Sequence, residues 1–115
     1  MKTVPGKILR IYMGEGDKHG HRPLFEWVMD RAREEEMAGA TVLRGQAGFG
    51  IKHHMHSSKI LRLSQDLPIV VEIADKPDKI ASFYDSIAKG IGDAHALIED
   101  VLLAAKENQT RIGNS

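Results

Sequence analysis

The stretch GFGIKHHMHSSK at 48–59 combines two kinds of groups that could bind a ligand. Glycine-rich turns expose backbone N–H groups, which can hold phosphate. Imidazole nitrogens are ligands for zinc, copper or nickel. The stretch therefore predicts an anion-binding turn, a divalent metal site, or only a strand end followed by a solvated hairpin tip. The candidate groups are Gly48, Phe49, Gly50 and Lys52 for the anion and His53, His54 and His56 for the metal.

A second glycine-containing stretch, AKGIGD at 88–93, lies at the end of the second predicted helix. Lys89 could contact a phosphate as a point charge, or it could interact only with the negative end of the preceding helix. Gly90 and Gly92 would allow a close backbone approach. Asp93 could accept a hydrogen bond from a ribose hydroxyl, but closing the turn is the more common role for an aspartate.

A third polar stretch, GEGDKHGH at 14–21, follows the first predicted strand. It could form a second ligand-binding loop, or an Asx-rich turn that caps the next helix. The length of the loop favours ligand binding. Its candidate ligand-binding residues are Gly14, Gly16, Asp17, Lys18, His19 and His21.

Composition narrows the classes of protein that this chain could belong to. Its 115 residues suit one domain, which we expect to span 1–105, with a polar tail at 106–115. The 16 basic and 16 acidic residues balance, so a general nucleic-acid binder is not expected. The chain has no cysteine, which excludes disulfides and thiolate chemistry. Residues 1–7 lack the apolar core of a signal peptide, so we expect a cytoplasmic protein.

Hydrophobic spacing predicts the elements that must position these candidate residues. Strands are predicted at 7–13, 40–49, 59–65 and 69–75, and helices at 22–37 and 76–89. Gly39 is the predicted stop of the first helix. The stretch 95–105 fits a helix or a strand by pattern alone. The order predicts an α+β fold, a ferredoxin-like split β-α-β sandwich with an extra hairpin.

Three long stretches carry a resemblance to a known family: LRIYMGEGDKHGHRPL (9–24), GATVLRGQAGFG (39–50) and KILRLSQDLPIVVEI (59–73). They resemble the PII-like family of domain of unknown function number 190, over roughly 7–103. More distantly, GFG at 48–50 and KGIGD at 89–93 are similar to the two segments with which PII signalling proteins hold an adenine nucleotide. In those proteins the two segments come from neighbouring subunits of a trimer.

The resemblance implies a non-enzymatic regulator that binds ATP, ADP or AMP at the clefts of a homotrimer and switches the conformation of its loops. It also places the final strand at the beginning of 95–105. A membrane channel or transporter is one conceivable partner, by genomic association in the family. Ile51 and Lys52 stand where PII proteins carry the Arg-Gln pair for magnesium and 2-oxoglutarate, so that site is not expected here.

Other functions remain open from the sequence. A metal-binding trimer of the copper-tolerance (CutA-like) type would use His53, His54 and His56. An enzyme that acts on nucleotides and a purely structural trimer are further alternatives. No catalytic set is recognisable, because Ser57 and Ser58 lack the surroundings of a nucleophile elbow.

Overall fold

The computed structural model describes residues 1–48 and 66–106. The strand predicted at 59–65 and most of the predicted tail lie outside the described residues. The elements follow the order β1 (Lys2–Gly14), β2 (Lys18–His19), β3 (Arg22–Pro23), α1 (Leu24–Glu34), β4 (Ala40–Arg44), β5 (Pro68–Asp75), α2 (Pro77–Ile87) and β6 (His95–Ala105).

One antiparallel sheet with the strand order β4-β5-β1-β6 organises the fold. Helix α1 lies in the connection from β1 to β4, and α2 lies in the connection from β5 to β6. This is the split β-α-β arrangement that the sequence predicts. The short β2–β3 hairpin lies in the segment between β1 and α1, most of which was predicted as a loop.

The core lies between one face of the sheet and the two helices. Alternate residues of the central strands point into it, as the period of two along a strand requires. The apolar stripes of α1 and α2 cover these residues at helical spacing. The buried hydrophobic residues of the four elements are Leu9, Ile11 and Met13 of β1, Ile69, Val71 and Ile73 of β5, Leu24, Val28 and Ala32 of α1, and Ile80, Phe83 and Ile87 of α2.

The ambiguous stretch 95–105 forms a strand over its whole length. It pairs with β1 from Tyr12↔His95 to Lys2↔Ala105. Strand β5 pairs with β1 only from Lys7 onward, so among the described residues 2–6 have β6 as their only partner strand. Residues 2–6 and 101–105 therefore form a two-stranded ribbon that extends beyond the four-stranded sheet.

Helix α1 is shorter than the predicted 22–37, and its stop is not Gly39. Pro23 is extended (φ −55°, ψ 136°), and the helix begins at Leu24. At the other end Glu36 adopts a left-handed backbone with φ 58°. The N–H groups of Glu36 and Met37 donate to the carbonyls of Arg33 (3.1 Å) and Ala32 (3.0 Å). This is a Schellman motif with a glutamate where glycine is usual.

Strand β4 ends at Arg44, earlier than the predicted 49. The next residue, Gly45, still donates its N–H to the Pro68 carbonyl at 2.8 Å. A Cβ at Gly45 would lie 2.7 Å from the Pro68 Cγ, so only glycine fits against this ring. Among the described residues the pairing of β4 with β5 ends here, because Pro68 is the first residue of β5.

Candidate functional site

Loop 14–21, Gly48 and the turn 88–93, the described parts of the three predicted ligand-binding segments, all connect to one end of the sheet. The register pairs Gly14 with Pro68, Arg44 with Ile69 and Tyr12 with His95. The end of β1, the end of β4, the start of β5 and the start of β6 therefore share this end. Loop 14–21, the residues after β4 and the turn 88–93 all connect to it.

Within one chain, however, Gly48 and the turn 88–93 belong to opposite edges of the sheet. Gly48 follows β4 and the turn precedes β6, and these are the two edge strands. Three strand spacings separate the edges, roughly 14 Å. Among the described residues, the strand order therefore does not bring Gly48 and the turn 88–93 together as neighbours in one subunit.

Of the predicted GFG segment, the described residues include only Gly48. It is exposed, and a Cβ there would lie 3.2 Å from the Pro68 Cγ, a tight approach. Phe49, Gly50 and Lys52 lie outside the described residues, as do His53, His54 and His56. The anion-binding and metal-binding roles of those residues remain predictions. Within 1–48 and 66–106, no group of three or more histidine, cysteine or carboxylate residues could hold a metal ion.

The turn after α2 is held by its own backbone. The N–H of Ile91 donates to the Ile87 carbonyl (3.0 Å), and the N–H of Gly92 donates to the Lys89 carbonyl (3.2 Å). Ala94 donates its N–H to the Ile91 carbonyl at 3.1 Å, and Ile91 is buried. Gly92 has φ 62°, which favours glycine. Three amides of the turn are thus already bonded, whereas Lys89 is exposed. A phosphate at this turn would be contacted chiefly by the Lys89 ammonium group.

Gly90 has a structural role that its sequence context does not reveal. A Cβ there would lie 2.7 Å from Cζ3 and 2.9 Å from Cζ2 of Trp27, and closer still to Cη2. The indole of α1 therefore packs directly on the backbone of the turn. Real Cβ atoms essentially never approach so closely, so any residue other than glycine must displace the ring.

His19 also contacts this indole and joins loop 14–21 to the turn. Its imidazole stacks on the Trp27 ring with centroids 4.0 Å apart and planes inclined by 13°. Its Nδ1 lies 3.2 Å from the Gly90 carbonyl oxygen. Two segments that the sequence could only treat separately are therefore in direct contact.

The first half of loop 14–21 is a hydrogen-bonded turn. Asp17 accepts a hydrogen bond from the Gly14 N–H (3.0 Å), and its own N–H donates to the Gly14 carbonyl (3.1 Å). The Asp17 carbonyl accepts the N–H of Leu24 (2.7 Å), the first residue of α1. Gly16 donates its N–H to Oδ1 of Asp66 at 2.9 Å. Gly14, Gly16 and Asp17 thus hold the loop in shape, which favours the capping-turn interpretation for these three residues.

The charged groups near the loop differ in how they are engaged. Glu15 pairs with Arg44 at 2.8 Å. The Arg22 guanidinium donates hydrogen bonds to both Asp30 and Glu26. These two carboxylates, Asp30 chiefly, raise the pKa of Arg22. Lys18, His21, Lys89 and Asp93 are exposed. The exposed cations Lys18 and Lys89 and the imidazole of His21 are the candidate groups for an anionic ligand.

Sequence reasoning did not identify Trp27 and Asp66 as part of this site. Trp27 lies on α1 and contacts the core at its edge. Asp66 lies just before β5. Their roles depend on contacts across 50 to 63 positions of the chain, which hydrophobic spacing does not encode.

Comparison with known proteins assigns the chain to a family. The sequence model of the family DUF190, described as "Uncharacterized ACR, COG1993", matches residues 6–103. The chain belongs to this family. A UPF0166 protein of Aquifex aeolicus is similar to it, with 37% identity over 101 residues, 88% of this chain and 95% of that protein.

Solved structures show that the fold of this DUF190 chain is PII-like, as the resemblance predicts. CPII of Thiomonas intermedia K12, bound to ADP, AMP and acetate, superposes with a TM-score of 0.64 at 18% identity, covering 91% of this chain and 94% of CPII. A second CPII structure, described as a nitrogen regulatory PII-like protein bound to ADP, AMP and bicarbonate, gives 0.64 at 16% identity, covering 90% and 92%. In the part of the DUF190 chain that the structure describes, no helix could span a membrane.

Proposed function

We propose that this DUF190 protein is a non-enzymatic PII-like regulator that binds an adenine nucleotide between the subunits of a homotrimer. The observation that carries this proposal is the position of Gly48 and Lys89 at the same end of the sheet but on opposite edges. Two neighbouring chains can bring one edge of each together, so that a ligand contacts Gly48 of one subunit and Lys89 of the next.

The helix-free face of the sheet supports self-association. Tyr12, Leu43 and Leu97 lie on this face and are 40%, 49% and 42% exposed. At its centre Arg10 bonds Glu99 (2.8 Å) and Glu72 (2.9 Å), which raises the pKa of Arg10. The Arg10 guanidinium is thereby hydrogen-bonded within the face, and the second carboxylate leaves one net negative charge there. A sheet face with exposed apolar residues around an internally bonded cation is suited to contact with another copy of itself.

The two-stranded ribbon of residues 2–6 and 101–105 gives a second, independent argument. An isolated two-stranded ribbon is marginally stable in water, and three or more strands or a packed face are needed. Leu102 on this ribbon is 71% exposed. Packing of the ribbon on a neighbouring subunit would remove this apolar side chain from water and supply the missing contacts.

The ligand is proposed to be ATP, ADP or AMP. CPII, which shares the fold, binds ADP and AMP. Lys89 supplies a cation for the phosphates, and Lys18 and His21 are exposed nearby in the chain segment that His19 joins to the turn. Nucleotide binding would change the conformation of the loops, which a partner such as a membrane channel or transporter would recognise.

Calorimetric titration of metal-depleted protein with ATP, ADP, AMP and cyclic AMP tests this proposal. We expect a dissociation constant in the micromolar range or tighter, at about one nucleotide per subunit. Lys89→Gln should weaken binding about tenfold, because hydrogen bonds to charged groups contribute about 1.5–3 kcal/mol. Lys106→Gln, beyond the far end of β6, is the matched control and should bind as the wild type does.

A zinc titration of the same protein tests the alternative, metal binding. Heat from zinc alone, with none from any nucleotide, would refute the nucleotide proposal and favour the metal-binding trimer that uses His53, His54 and His56. Light scattering on the same samples measures the number of subunits, and a monomer at all concentrations would refute the trimer.

A further inference from the structure

The Trp27 indole contacts both loop 14–21 and the turn 88–93. It packs on Gly90 of the turn so closely that no Cβ fits there. The imidazole of His19 stacks on the same indole. From this stacked position its Nδ1 reaches the Gly90 carbonyl oxygen at 3.2 Å. His19, Trp27 and Gly90 therefore form one closed contact, which we name the latch.

The chemistry of the acceptor fixes the proton on His19. A backbone carbonyl oxygen can only accept a hydrogen bond, so Nδ1 of His19 must carry a hydrogen for this bond to form. His19 is therefore a donor toward the protein through Nδ1. This engages one of the two ring nitrogens and the ring face, so His19 is held against the protein and is distinct from the exposed His21.

We infer that His19 is a positioning residue that couples the β2–β3 hairpin to the turn 88–93, so that a ligand bound at the turn sets the position of the hairpin. The ligand step rests on the proposed function. The coupling itself rests only on the latch. Gly90 follows Lys89 directly, so a ligand that moves Lys89 also moves the carbonyl that His19 holds.

The two ends of the β2–β3 hairpin are fixed by their connections to the Asp17 turn and to α1. The hairpin begins at Lys18, immediately after the Asp17 turn, and it runs into α1 at Leu24. The Asp17 carbonyl accepts the Leu24 N–H, which closes the base of the hairpin segment. With the base closed, the His19 contact links this segment to the turn. A ligand shifts the hairpin only if it binds one latch state more tightly than the other.

Two substitutions separate the stack from the hydrogen bond. His19→Phe keeps an aromatic ring over Trp27 but removes the N–H. His19→Asn places an amide nitrogen the same number of bonds from Cβ as Nδ1, so it keeps a donor but removes the ring. His21→Asn is the matched control in ligand-free protein, because His21 is an exposed histidine of the same segment.

Hydrogen–deuterium exchange of ligand-free protein tests the latch. In His19→Phe, the amides of Ile91, Gly92 and Ala94 should exchange about fivefold faster than in the wild type, the factor that a net hydrogen bond of about 1 kcal/mol represents. His19→Asn and His21→Asn should exchange within twofold of the wild type. Equal rates in His19→Phe and the wild type, or equal acceleration in both His19 variants, would overturn the hydrogen-bond latch.

The same measurement with saturating ADP tests transmission to the hairpin. In the wild type, ADP should slow exchange in residues 15–23. His19→Phe should still bind ADP, but this protection of 15–23 should be lost. Protection that persists in His19→Phe would overturn the coupling. If the wild-type protein binds none of the nucleotides, the proposed function fails, while the ligand-free exchange rates still decide whether the latch exists.

Discussion

Substitution of Gly90 by alanine is the most direct perturbation of the contact between the turn 88–93 and α1. The added Cβ would lie 2.7 and 2.9 Å from two atoms of the Trp27 six-membered ring, and closer to a third. Ordinary van der Waals contact begins at about 3.4 Å, so the indole must move by about 1 Å or the turn must open. Either movement separates His19 from the ring or from the Gly90 carbonyl.

The expected cost follows from the behaviour of over-packed sites. Forcing an extra methyl group into a filled contact costs about 1–3 kcal/mol. For a domain near this size, 1 kcal/mol corresponds to about 4 °C, so Gly90→Ala should lower the melting temperature by about 4–12 °C. Gly92→Ala is the matched control: nothing lies within 4 Å of its Cβ position, and its φ of 62° costs about 1 kcal/mol by backbone strain alone.

A double-mutant cycle with Trp27→Phe identifies the cause of the loss. Phenylalanine lacks the outer ring atoms that the new Cβ would meet, so Gly90→Ala should cost at least about 1 kcal/mol less in this background. The assay is thermal unfolding followed by circular dichroism, because Trp27 is the only tryptophan and its fluorescence is lost in the variant. If Gly90→Ala is as stable as the wild type, or costs the same with Phe at 27, the close packing of Gly90 on Trp27 is wrong.

Three other contacts give predictions that can be checked with the same protein. Glu36→Gly should raise the free energy of unfolding in urea titration by about 0.5–1 kcal/mol, because the backbone of Glu36 is in the left-handed region. The control Arg33→Gly, within α1, should lower it by about 1 kcal/mol. A Glu36→Gly variant that is less stable would contradict the Schellman assignment. Asp75→Ala should lower the free energy of unfolding by about 2–3 kcal/mol in the same titration, because the buried carboxylate accepts hydrogen bonds from the N–H groups of Ala38 (2.8 Å) and Lys76 (2.7 Å). An unchanged free energy of unfolding would contradict this role of Asp75. Leu102→Glu should dissociate the proposed trimer in light scattering, with Arg33→Glu as the control, and an intact trimer would exclude the ribbon from the interface.

Most of the fold could be predicted because hydrophobic spacing encodes it. The strand predicted at 7–13 lies within β1, where Leu9, Ile11 and Met13 alternate into the core. The ambiguity at 95–105 had a physical origin, since β6 is an edge strand with apolar residues on both faces. Ile98 (44% exposed) shares the face of the core residue Leu9, while Leu97 (42% exposed) lies on the opposite face. Such a strand lacks the simple alternation that identifies a half-buried strand.

The candidate site was less predictable, because its decisive contacts are long-range. Glycines and polar residues mark the connections at one end of the sheet, and the sequence-predicted Gly48, loop 14–21 and turn 88–93 lie in these connections. Sequence reasoning could not assign roles within them. His19 and His21 look equivalent in the sequence, yet His19 is engaged by Trp27 and Gly90 whereas His21 is exposed. Similarly, α1 ends in a turn at Glu36 and not at the predicted Gly39. Lys79 of α2 donates hydrogen bonds to the carbonyls of Glu35 and Glu36, a long-range contact that stabilises this end of the helix.

The proposed site makes assembly and ligand binding interdependent. If a nucleotide contacts Gly48 of one subunit and Lys89 of the next, it binds only the assembled form and stabilises it by mass action. The melting temperature should then rise with both protein and ADP concentration. At an ADP concentration one hundred times the dissociation constant, the free energy of unfolding should increase by about 2.7 kcal/mol. In Leu102→Glu the same ADP concentration should give a much smaller rise, because the unassembled subunit carries the two segments on opposite edges of its sheet. An equal rise in both proteins would mean that one subunit binds the nucleotide alone, and that the site lies on a single edge.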